Sequence, residues 1–96
     1  MASCYIIFSS ELDRIYTGIC QGDVNDRVSR HNNASYGRYR FTSKVKDWEL
    51  FIEISCSSIS QARKIELHIK RMKSAQYIRN LKKYPEIIRK LHDRYS

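Results

Sequence analysis

Two short runs of β-branched and aromatic residues fall within the first nineteen positions, with a polar stretch between them. Residues 4–8 (Cys4, Tyr5, Ile6, Ile7, Phe8) and 15–19 (Ile15, Tyr16, Thr17, Gly18, Ile19) read as strands joined in a hairpin by a loop of about four residues. One further run of this kind, residues 48–54, supplies a third strand (Trp48, Glu49, Leu50, Phe51, Ile52, Glu53, Ile54). Three strands make a small sheet whose apolar surface has to be covered by helices. The expected architecture is therefore a small α/β (α+β) domain, order β-β-α-β-α-α-α, with a mainly antiparallel three-stranded sheet.

The helical segments carry their own start and stop signals. Asp23 can cap a helix that runs to about Asn32, because its carboxylate can accept from the free amides of a first turn. Ser58 or Ser60 opens the longest helix, whose apolar face is Ile59, Ala62, Ile65, Ile69 and Met72. Ser74 caps a third helix with Tyr77, Ile78 and Leu81 inward. Pro85 suits the first position of a fourth, with Ile87, Ile88, Leu91 and Tyr95 forming its stripe. Residues 33–47 have no clean period. They read as a basic loop carrying Arg38, Arg40, Lys44 and Lys46 among Tyr36, Tyr39 and Phe41.

Ninety-six residues suit one domain, residues 1–96, and a chain of this length buries about 60–65% of the surface it exposes when unfolded. No apolar run approaches the roughly 20 residues that span a bilayer, and residues 4–8 are too few for the apolar core of a signal peptide. Three cysteines without paired spacings argue against a disulfide scaffold and a zinc ribbon, which makes a reducing, cytoplasmic setting the default. Eighteen Lys and Arg oppose ten Asp and Glu, a net charge of +8 concentrated in residues 49–96. That excess favours a polyanionic partner, nucleic acid before a membrane surface.

A few residues break the packing pattern. Val24, Arg27, Val28 and His31 share one stripe of the first helix, so a guanidinium and an imidazole accompany two core valines. Either both polar side chains reach the rim, or the helix floors a cleft with Arg27 aimed at an anion. Glu66 flanks the apolar face of the long helix. It can pair with Lys70 or Arg63, or it can serve as a ligand for a hard cation such as Mg²⁺. Tyr5 and Tyr16, with ten residues between them, lie on strands expected to pair. Cys4, Cys20 and Cys56 read as small buried hydrophobes, and His68 and His92 have no partner at ligand spacing. No Gly-rich phosphate loop or nucleophile motif is present.

Taken in order, these residues resemble the GIY-YIG nuclease domain, with similarity to the nuclease domain at the N-terminus of an excision-repair endonuclease. The first name motif stands as Ser3, Cys4 and Tyr5, the second as Tyr16, Thr17 and Gly18. Ser3 and Cys4 replace the family's Gly-Ile, and Thr17 replaces an Ile. Arg27 and then His31-Asn32 follow on the next helix, Asp47-Trp48-Glu49-Leu50 leads into the third strand, and Glu66 stands where the family has a metal-binding glutamate. Asn80 matches an asparagine that several relatives place after the glutamate. The resemblance covers residues 3 to about 82.

What the resemblance implies is hydrolysis of DNA phosphodiester bonds with one divalent ion, Mg²⁺ or Mn²⁺. Glu66 would hold the metal, Arg27 the scissile phosphate, and Tyr16 the water or phosphate. Tyr5 would take the proton of the attacking water, with His31 as helper or as alternative base. Arg38, Arg40, Lys44, Lys70, Lys73 and Asn80 would bind flanking nucleic acid, with Tyr39 or Phe41 available to stack on unpaired bases. Structure-directed or weakly sequence-specific cutting in DNA repair or processing is the expectation, by a monomer or homodimer or with a protein partner that supplies specificity. The alternatives are a silent binding module that recruits a partner to DNA and an RNA-directed protein.

Overall fold

The computed structural model describes residues 2–33 and 45–96. The expected contacts at Arg38, Arg40 and Lys44, and the aromatic residues beside them, lie outside the described residues.

The hairpin forms from β1 (Ala2–Ser9) and β2 (Arg14–Gln21). Asp13 closes its turn at φ 51°, a left-handed conformation that Asp tolerates better than most residues. The third strand, β3 (Glu49–Cys56), pairs with the other edge of β1, so the sheet order is β2-β1-β3 and both pairings are antiparallel. The first strand is therefore the central one. With backbone partners on both sides and helices over both faces, its run of apolar residues needs no polar alternation. A bulge beside Ile6 and Ile7 leaves Phe51 as the extra residue of β3, since Ile6 faces Ile52 and Ile7 faces Leu50.

Four helices complete the order β-β-α-β-α-α-α. In α1 (Val24–Asn32) the Asp23 carboxylate accepts from the Asn25 amide at 2.9 Å. Ser58 rather than Ser60 caps α2 (Ile59–Met72), accepting from the Gln61 amide at 3.1 Å. Lys73, at φ 47°, turns the chain out of α2. Ser74 caps α3 (Ala75–Lys83), and Pro85 opens α4 (Pro85–Arg94) in a first turn whose amides need no partner from the helix.

Alternation along β1 sends its side chains to two cores. Ala2, Cys4 and Ile6 join Ile54 and Cys56 against Ala62, Ile65 and Ile69 of α2, Ile78 and Leu81 of α3, and Leu91 of α4. Tyr5 and Ile7 face the other way, where Cys20, Val24, Val45 and Trp48 enclose them. Among the described residues α1 is the helix on that side. Ile59 and Met72, expected inward, are 38% and 44% exposed, because they are the first and last residues of α2 and lie past the apolar centre of its face. Edge strand β2 thus runs between α1 above the sheet and α2 below it, within reach of side chains from both.

Candidate active site

The site opens along that edge, and its position depends on one absent side chain. Tyr5 and Gly18 are register partners across the β1–β2 ladder. The Tyr5 ring leans over Gly18 so closely that a Cβ there would stand 2.6 Å from the phenol oxygen and 2.7 Å from Cζ. Glycine at this position lets a tyrosine from the central strand reach across the edge strand.

On the α1 side, His31 Nε2 lies 2.8 Å from Tyr5 Oη in a buried hydrogen bond, and only 4% of His31 is exposed. The edge-to-face contact between Tyr16 and His31, with centroids 5.2 Å apart, places the second tyrosine against the same imidazole. Arg27, one helical turn before His31, lines the cleft with Tyr5 and Tyr16. The mixed stripe read from the sequence thus has two duties. Val24 and Val28 pack into the core while Arg27 and His31 border the cleft.

Glu66 completes the cleft from the α2 side. The residue is 6% exposed and borders the same space of about 170 Å³. Both oxygens carry ion pairs: Lys70 Nζ is 3.3 Å from Oε2 and Arg63 Nε is 3.8 Å from Oε1. Among the described residues no three His, Cys, Asp or Glu gather at metal-binding spacing. A lone buried carboxylate on a cleft fits Mg²⁺ or Mn²⁺, which are commonly held by one or two carboxylates while water and phosphate oxygens fill the remaining positions.

The sequence did not single out Asn32 as an anchor for α1. Its Oδ1 accepts from the Trp48 amide at 2.7 Å and its Nδ2 donates to the Trp48 carbonyl at 3.0 Å. The side chain thereby imitates a strand neighbour and ties the end of α1 to the start of β3. Both of its partners are backbone atoms, so residue types could not reveal the contact. A similar tie joins Asp47 to the hairpin: it accepts from the Ser9 hydroxyl at 2.5 Å and the Glu11 amide at 2.9 Å. These bonds hold the Asp47 carboxyl below the usual carboxylate range.

Lys70 and Lys73 line a groove that shares Tyr16 with the cleft. Asn80 lies elsewhere, on α3, where its Oδ1 accepts from Gln76 Nε2 at 3.0 Å, and it is not among the residues bordering the cleft. His68 hydrogen-bonds Tyr95 Oη through Nδ1 at 2.8 Å, and His92 Nε2 donates to the Ser55 carbonyl at 2.7 Å. Burial is the main cause that raises the thiol pKa values of Cys4, Cys20 and Cys56, leaving them as buried thiols.

Two tyrosines, an arginine, a histidine and a glutamate thus meet at the edge of a three-stranded sheet, and the family model of the GIY-YIG catalytic domain matches residues 1–83. The chain belongs to the GIY-YIG family. No curated protein and no solved structure gave a match. GIY-YIG domains are nuclease domains, which supports a nuclease role in general and implies DNA as the substrate class. The GIY-YIG match ends at α3 and so includes every residue of the cleft. No helix among the described residues of this GIY-YIG chain is long and apolar enough to cross a membrane.

Proposed function

We propose that this GIY-YIG domain is a metal-dependent DNA endonuclease, with residues 1–96 forming one nuclease unit that cuts in a structure-directed or weakly sequence-specific manner during DNA repair or processing. The observation that carries the reading is the buried Tyr5–His31 hydrogen bond, which opens on a cleft also bordered by Arg27 and Glu66. A phenol with an ordinary pKa near 10 is a poor base at neutral pH, so Tyr5 needs an acceptor for its own proton. His31 Nε2 is that acceptor. Tyr5 Oη takes a proton from the attacking water as its own proton passes to His31. The water oxygen bonds to phosphorus, the bond from phosphorus to the 3′ oxygen breaks, and the leaving oxygen is protonated from solvent.

Arg27 holds a non-bridging phosphate oxygen, and its fixed charge opposes the negative charge that builds there. Tyr16, packed on His31, keeps the imidazole in place and offers its hydroxyl to the water or phosphate. A divalent ion, Mg²⁺ or Mn²⁺, held by Glu66 with water and phosphate oxygens, would stabilise charge on the leaving oxygen.

A silent nucleic-acid-binding module is the second reading, favoured by the two ion pairs on Glu66, which satisfy the carboxylate without a metal. One experiment separates the two. Labelled single-stranded, duplex, nicked, flapped and four-way-junction DNA are incubated with Mg²⁺, Mn²⁺ or EDTA and with wild-type or Glu66→Ala protein. Metal-dependent cutting that disappears in the variant while binding persists supports the nuclease. Salt-sensitive binding with no cutting of any substrate supports the binding module.

A further inference from the structure

The cleft does not end at Tyr16. The groove beyond it passes Lys70 and Lys73 and shares Ile15, Ala75 and Ile78 with a second cavity of about 560 Å³ at the hairpin end of the sheet. Phe8 and Phe51 supply aromatic rings to that cavity, and Arg14 and Arg79 stand at its borders. Ile15, between the two spaces, is 38% exposed and offers apolar surface to both. Lys82 Nζ lies 4.8 Å from the Phe51 ring centroid, so the ring already receives a cation.

Charge decides what this track accommodates. Across its two sections, among the described residues, Lys70, Lys73, Arg14 and Arg79 oppose a single carboxylate, that of Asp13. An apolar floor with aromatic rings and a cationic rim fits a strand whose backbone is anionic and whose unpaired bases are flat and apolar. A paired duplex keeps its bases stacked inside and has nothing to offer the phenylalanines. The track is also continuous with the site of cutting. Lys70 borders the groove while its Nζ contacts the Glu66 carboxylate at 3.3 Å.

We infer that the groove from Tyr16 to the Phe8–Phe51 cavity binds an unpaired single-stranded extension of the nucleic-acid substrate, with a base on the phenylalanines and phosphates at Arg14 and Arg79. This rests on the nuclease reading for the orientation of the substrate. Its binding test does not depend on turnover. Strand geometry places Arg14 about 7 Å beyond Tyr16 along β2, so the track begins directly beside the reacting phosphate.

The test measures binding in EDTA by fluorescence anisotropy, using a fluorescein-labelled duplex that is either blunt or carries a single-stranded oligothymidylate extension. Wild-type protein should bind the extended duplex about tenfold tighter, as one stacked base and two phosphate contacts would supply. Arg14 and Arg79 are both exposed, so the double variant Arg14→Ala, Arg79→Ala should keep its melting temperature. It should bind the blunt duplex almost as wild type does and lose most of the preference for the extension. The slope of log K against log salt for the extended duplex should become shallower by about 1.4. Equal wild-type affinity for the two duplexes, or an unchanged preference in the double variant, overturns the inference. A cleavage assay run alongside keeps the two readings apart: an extension preference without cutting defeats the nuclease and leaves the track, whereas cutting without the preference does the reverse.

Discussion

Tyr5 and Gly18 form a cross-strand pair in which one residue occupies the space the other leaves, with the phenol oxygen 2.6 Å from where a Gly18 Cβ would stand. A Gly18→Ala change therefore pushes on the ring that bonds His31 rather than straining the backbone. The expected cost is about 1–3 kcal/mol of stability, the usual range for overpacking, together with a large fall in cleavage rate. Chemical denaturation reads the first and single-turnover cleavage the second. In a Tyr5→Ala background the added methyl should cost almost nothing, and a full cost there would show that the clash lies elsewhere.

Removing the Tyr5 hydroxyl tests the proton route directly. Tyr5→Phe keeps the ring and loses the 2.8 Å bond to His31, at about 1 kcal/mol of stability. Cleavage should fall by roughly 10²–10⁴, the usual worth of a positioned base, while DNA affinity stays near wild type. A variant that still cuts at the wild-type rate would exclude Tyr5 as the base.

Lys70 competes with any cation for Glu66. Replacing it by Gln removes the 3.3 Å ion pair and leaves a buried carboxylate with Arg63 at 3.8 Å. Mn²⁺ affinity, followed by water proton relaxation, should rise by about two- to fivefold, which matches the loss of a partly exposed ion pair. Unchanged affinity would mean that Lys70 does not hold the carboxylate against metal.

The pH dependence of folding has a defined sign at Asp47. Its folded-state carboxyl titrates below the usual range because Ser9 and the Glu11 amide bond the charged form. The unfolded chain therefore takes up this proton first as pH falls. The contribution is complete above about pH 4 and is lost as the pH drops through the folded value. Asp47→Asn should flatten the acid limb of a stability–pH curve measured by urea unfolding, and an unaltered limb would show that the bonds do not favour the ionised form.

Burial also predicts the thiol chemistry. Cys4, Cys20 and Cys56 are each about 2% exposed or less, and burial raises their pKa values. A thiol-reactive chromophore at neutral pH should label almost none of them in native protein and all three after unfolding. Rapid native labelling would mean that the sheet opens far more often than its packing suggests.

Much of this architecture is legible in the chain itself. The hairpin, the third strand and three helix caps are written in local chemistry, because apolar period and short-range side-chain bonds depend on neighbours in sequence. The cleft was legible for a different reason. Arg27 and His31 violate the apolar stripe of α1, and such a violation marks a place where packing yields to another demand. Asn32 could not be read, because it bonds to backbone atoms of a residue sixteen positions away. The choice between rim and cleft for Arg27 also needed the strand order, since only an edge position for β2 lets residues from both faces of the sheet meet. Asn80 stands on α3 with Gln76 as its partner, away from the residues that border the cleft.

The Asn32 clamp has a consequence for how such a domain can diversify. By closing the span between α1 and β3 at its two ends, it separates the intervening residues from the placement of Arg27 and His31. Loop closure grows costlier only slowly with length, by about 0.6 kcal/mol per doubling, so lengthening this interval adds little to the cost of folding. Sequence change between Asn32 and Trp48 can thus be absorbed while the clamp keeps the end of α1 fixed against the start of β3.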